Sequence, residues 1–102
     1  MEKAVLNEVF EYLKEIKAVD SESEFSMDWL CRSESYMRSL RFKQAQPSIG
    51  TLAICASKLS HYGNRLKVEQ KHASISNQLL QLSAACNRQI NNTSEKQWME
   101  MQ

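Results

Sequence analysis

Glycine and proline are nearly absent: the 102-residue sequence holds two glycines and one proline. Tight hairpins, Gly-rich phosphate loops and nucleophile elbows depend on residues that tolerate positive φ. A many-stranded β fold and P-loop or hydrolase-elbow chemistry therefore lack their raw material. No apolar run approaches the ~20 residues that cross a bilayer, and no membrane partner is expected. The chain opens Met-Glu-Lys and turns amphipathic at once, unlike a signal peptide. Its three cysteines, Cys31, Cys55 and Cys86, form no CxxC pair, and His61 and His72 stand eleven positions apart. Metal ligands cluster at short spacings, and disulfide frameworks use even numbers of cysteine. The pattern predicts a cytoplasmic protein with reduced thiols, no metal site and no cofactor. Its carboxylates are spaced along helix faces and do not converge in pairs, so no catalytic residue stands out and no enzymatic activity is expected.

What is present is an ordinary globular composition, 42% hydrophobic and 25% charged, in a length that suits one domain. The net charge is only +1, but it is unevenly spread. Residues 1–30 carry three lysines against eight carboxylates, whereas residues 31–72 carry eight Lys and Arg against Glu34 and Glu69. A basic middle in a near-neutral chain fits either a polyanion-binding face or an ordinary solvated surface.

Hydrophobic spacing is helical throughout. Val5, Val9, Leu13 and Ile16, flanked by Leu6 and Phe10, predict an amphipathic helix over 3–17. Ser21 with Glu24 three residues later reads as a capping box opening a second helix near 22–31, with Phe25, Trp29 and Leu30 inward. Ser33 is the expected N-cap of a third helix near 34–41, with Met37 and Leu40 inside. Residues 42–47 break the pattern; Leu52, Cys55, Ala56, Leu59, Tyr62 and Leu66 then hold one phase to about residue 68. Gly63 within that run marks either a close approach or an early end. After a polar connection at 68–73, Ile75, Leu79, Leu82, Cys86 and Ile90 form a narrow, nearly heptad seam on a helix at 73–92. That seam either closes the core or pairs with a second copy in a homodimer. Residues 93–102 are expected to be a flexible tail. The fold class is all-α, with about five helices in a single domain over 1–92. Its expected core is Leu6, Val9, Phe10, Leu13, Phe25, Leu30, Met37, Leu40, Leu52, Cys55, Ala56, Leu59 and Leu82.

The stretch from Pro47 to Leu59 reads Pro-Ser-Ile-Gly-Thr-Leu-Ala-Ile-Cys-Ala-Ser-Lys-Leu. It resembles the fourth helix of lambda repressor/Cro-like helix-turn-helix domains, where Pro-Ser-x-x-Thr-Leu-x-x-x-Ala-x-x-Leu is frequent. Sixteen residues before that proline the family has a turn glycine, followed two residues later by Ser or Thr. Here Cys31 and Ser33 stand at those places. The matching frame covers 30–59, about 30% of the chain. Leu30 falls on the apolar residue before the turn, and Met37 and Leu40 fall on the core positions of the recognition helix. The chain departs from the family at Cys31, and at Ser26-Met27 where the family has Leu-Ala; Phe25 is the residue that looks like the missing Leu.

The resemblance implies a helix-turn-helix at about 21–59 that lays its third helix in the major groove of double-stranded DNA. Such a protein regulates transcription by occupying an operator, and bacterial regulators of this kind usually act as dimers. Position by position, the resemblance puts Ser33 near a phosphate, Glu34 and Ser35 at the first base-reading positions, and Arg38 and Ser39 one turn later. It puts Tyr36 against backbone sugar and Ser23 at a phosphate contact at the start of the second helix. Arg41 and Lys43 become flanking anchors, and Arg32 adds to the local positive charge. The alternative is a non-catalytic protein-interaction module that keeps the fold without binding DNA, favoured by Met27, Trp29, Cys31 and the acidic first helix.

Overall fold

The first helix, α1 (Val5–Glu15), buries Leu6, Val9 and Leu13 along the stripe its sequence spacing sets. The structure is a computed structural model and describes residues 4–101, so the first residue of the expected 3–17 helix lies outside the described residues. α1 ends before Lys17, which adopts a left-handed conformation (φ 64°). That corner lets the Ala18 N–H donate to the Leu13 carbonyl at 2.8 Å and turns Val19 back into the core. α2 (Glu22–Leu30) starts at Ser21, whose hydroxyl accepts from the Glu24 N–H at 3.2 Å. Glu24 completes the box one residue further out than usual, accepting from the Asp20 N–H.

α3 (Tyr36–Lys43) begins two residues later than the sequence suggests and ends two later. The cause is a tight turn at Ser33–Tyr36, in which the Tyr36 N–H donates to the Ser33 carbonyl at 3.1 Å. Ser35 takes the N-cap place expected of Ser33, and among the described residues its side chain makes no capping bond. α4 (Ile49–Leu66) is capped by Ser48, whose hydroxyl accepts from the Thr51 N–H at 3.2 Å. A 3₁₀ turn at Gln70–His72 leads into α5 (Ala73–Glu100). The fold is all-α with five α-helices, and no strand occurs among the described residues.

α4 and α5 make the most extensive helix–helix contact. The Ser76 hydroxyl donates to the Gly63 carbonyl at 2.6 Å and the Ser83 hydroxyl to the Ala56 carbonyl at 2.7 Å, so the pair runs antiparallel. Gly63 is the close-approach point: a Cβ there would lie 2.8 Å from Leu80 Cγ. Cys55 and Cys86 are fully buried in the same interface. The hydrogen bond that the Cys55 thiol donates to Cys86, reinforced by burial, pushes Cys55 well above its usual range and keeps it protonated.

Leu79, Leu82 and Cys86 of the α5 seam are buried in this chain's own core. Of the two readings of the 73–92 seam, these three side chains take the first and close the core of the monomer. Of the thirteen expected core residues only Phe10 and Leu40 are half-buried, and Phe10 stacks at 5.6 Å on Phe25. Tyr62, expected inward, is exposed, because it flanks the stripe that Leu59 and Gly63 bury.

Residues 93–100, expected as tail, continue α5 as regular helix. No glycine or proline follows Gly63 to stop it, and the Gln89 amide donates to Thr93 Oγ1 one turn on. A helix of 28 residues is about 42 Å long. It sets the long dimension of the 48 × 28 × 26 Å molecule and carries Trp98, Met99 and Met101 exposed at its end. Among the described residues no helix is long and apolar enough to cross a membrane.

Candidate nucleic-acid interface

The α2–α3 corner is built on Cys31, which sits in the left-handed region at φ 55°, ψ 41°. Its N–H and that of Arg32 both point to the Ser26 carbonyl, satisfying the end of α2 while the chain reverses. The resemblance gives glycine to this position, and the backbone geometry here is the one glycine adopts most easily. In α2 the buried pair is Phe25–Ser26, and Met27 is 48% exposed. The small residue at the α2 packing face is thus Ser26, one position before the family's alanine.

α3 is held on α4 by a short polar relay. The Tyr36 hydroxyl donates to Thr51 Oγ1 at 3.4 Å, and Thr51 Oγ1 lies 2.9 Å from Ser48 Oγ. Thr51 is buried and Leu52 beside it is core, which gives the Pro-Ser-x-x-Thr-Leu pattern its structural meaning: cap, tether and anchor. Met37 is the buried residue of α3 and Leu40 packs against the same core.

The candidate residues divide into three groups. Arg32, Ser33, Glu34, Arg38 and Lys43 are exposed. Ser23, Ser35 and Ser39 are half-buried. Tyr36 and Arg41 are engaged elsewhere. Tyr36 turns its hydroxyl to Thr51 and carries the Arg32 guanidinium 4.7 Å from its ring centroid, which makes it an internal tether in the free protein. Arg41 makes two hydrogen bonds to the Glu22 carboxylate, one of 2.9 Å, and is an ion-paired brace at the surface of the free protein. The Arg41 hydrogen bonds hold the Glu22 carboxyl below its ordinary range, aided by the positive charge of Arg41, Arg38 and Lys14.

Phe42 was not legible as part of this face, because residues 42–47 read as a loop. It lies inside α3, four residues after Arg38 and therefore on the same side, and is 90% exposed. The spacing from Arg38 was the available signal. Glu22 and Glu24 put two carboxylates in the first turn of α2, on either side of Ser23. Among the described residues no group of three or more His, Cys, Asp or Glu is placed to hold a metal ion.

No curated protein matches the chain. No solved structure matches it either. A family model does match it, over residues 6–99 and hence over nearly its whole length. The chain belongs to the family of unknown function DUF6626.

Proposed function

We propose that the α2–α3 corner is a DNA-reading helix-turn-helix, and that the protein acts without catalysis, as a cytoplasmic regulator occupying an operator. The observation that carries the reading is the left-handed turn at Cys31, at the position the resemblance assigns to glycine, followed by a helix whose outward residues include Arg38. Arg32, Arg38 and Lys43 are exposed cations available to phosphates and to guanine edges, with Ser33 and Glu34 beside them.

The test is binding of random and operator-selected duplexes across salt concentrations. Three phosphate-neutralising cations give a slope of log K against log salt of about −2.7. Absence of binding to any duplex at low salt overturns the reading.

A second reading is favoured by Phe42. An aromatic ring 90% exposed on the Arg38 side of α3, with carboxylates at the start of α2, suits a protein partner better than a polyphosphate. In that case the corner is a protein-interaction module, and charge reversal at Arg38 leaves its binding intact while Phe42→Ala removes it.

A further inference from the structure

An open surface cleft of about 590 Å³ lies between the end of α1 and the facing sides of α2 and α4. Its floor is apolar and includes Leu13 and Leu79. One wall is aromatic: the rings of Trp29 and Tyr62 are tilted together at 5.7 Å between centroids. Lys58 stands on the lining with its ammonium 4.8 Å from the centroid of the Trp29 ring, donating a hydrogen bond to the Asp28 carbonyl. Among the described residues Lys58 has no carboxylate partner.

Aliphatic and aromatic side chains beside the charged Lys58 and Asp28, in a volume of this size, can hold a small molecule. A cation lying on an aromatic face without an anion of its own is complemented by a ligand that brings both a ring and a negative charge. The exposed Asp28 on the same lining opposes any anion, and a dicarboxylate or phosphate ester more strongly than a single carboxylate. We propose that this cleft binds a small aromatic monocarboxylate, its carboxylate on Lys58 Nζ and its ring against Trp29 and Tyr62. The cleft uses no residue of α3, so the site is independent of the DNA reading.

The chain has two tryptophans, Trp29 in the cleft and Trp98 on the projecting end of α5. Their indole N–H resonances provide a site probe and an internal control, assigned with a Trp98→Phe variant. The isotope-labelled full chain is titrated with benzoate and, separately, with its neutral isostere benzamide. A ligand this small binds with a Kd on the order of 1 mM. The expected result is a saturable shift at Trp29 with benzoate, none at Trp98, and binding of benzamide weaker by about tenfold. Lys58→Gln then brings benzoate down to the benzamide level, while Tyr62→Ala, at an exposed position, weakens both ligands alike. Equal affinity for the two ligands, or full benzoate affinity in Lys58→Gln, overturns the anion site. An unmoved Trp29 resonance overturns the cleft as a ligand site. A Trp29 resonance that shifts with protein concentration alone assigns the cleft to a second copy of the chain and overturns the proposal too.

Discussion

Glu22 and Arg41, nineteen residues apart, are joined by a two-pronged ion pair that fastens the first turn of α2 to the last turn of α3. The bridge fixes the angle between the two helices of the corner. It also neutralises a cation that the sequence pattern offers to a phosphate.

The pair makes stability depend on acid pH. The Glu22 carboxyl is held below its ordinary value of 4.5 by its hydrogen bond to Arg41. A folded-state pKa lower than the unfolded one means that the stabilisation is fully present above 4.5 and is lost as pH falls through the folded value. Arg41→Gln is expected to raise the Glu22 pKa in a carboxyl-detected NMR titration. The stability gap between wild type and variant is small, since the pair is largely solvated, and it closes in acid. A gap that persists unchanged below the folded pKa would rule out the ion pair as its source.

Cys31→Gly is expected to stabilise the protein by about 0.5–1 kcal/mol. A side chain in the left-handed region costs roughly 1–2 kcal/mol, and the greater freedom of glycine in the unfolded chain returns part of that gain. Cys31→Val, β-branched at the same φ, moves the other way. Urea unfolding of both variants is the measurement, and a destabilised glycine variant would show that the cysteine side chain itself contributes packing.

Ser26 Oγ is fully buried and has no hydrogen-bond partner among the described residues. Removing it leaves the volume nearly unchanged and relieves an unpaired polar atom, so Ser26→Ala is expected to stabilise by about 1 kcal/mol. Ser83→Ala is the contrasting case: its hydroxyl donates to the Ala56 carbonyl across the α4–α5 interface, and its loss costs about 1 kcal/mol. Thermal unfolding of the two variants shifts in opposite directions.

Arg38→Ala separates the surface role from the structural one. Arg38 is exposed, so stability stays within about ±0.5 kcal/mol. A base-reading role costs about 1–3 kcal/mol of operator binding and relaxes one base pair; a phosphate-reading role weakens all sequences and reduces the salt slope by about one. Unchanged binding to a confirmed operator places the DNA contact on another surface.

Much of the architecture was readable from spacing alone. Stripes such as Val9–Leu13 and Leu52–Cys55–Leu59 require helices with one buried face, and Ser21 announces where one of them begins. Helix ends were less readable. Nothing local stops α5 at residue 92, and the start of α3 was displaced by a turn whose hydrogen bond joins Tyr36 to Ser33. Val19 was missed because its burial depends on the left-handed Lys17 corner and not on any helical phase.

The sequence by itself determined that this chain is helical, that its apolar stripes make one core, and that a new helix follows the break at 42–47. Periodicity and capping are local properties, encoded within a few turns of chain. Tertiary structure decided which polar groups remain available. Glu22 and Arg41 carry no mutual signal in sequence, and neither do Tyr36 and Thr51 or Lys58 and Trp29; each pair meets only because separate helices are packed at a particular angle. Long-range pairing of side chains depends on that packing, and it leaves Arg38, Phe42 and the Trp29 cleft facing solvent while Arg41 is ion-paired at the surface and the α5 seam is drawn into the fold.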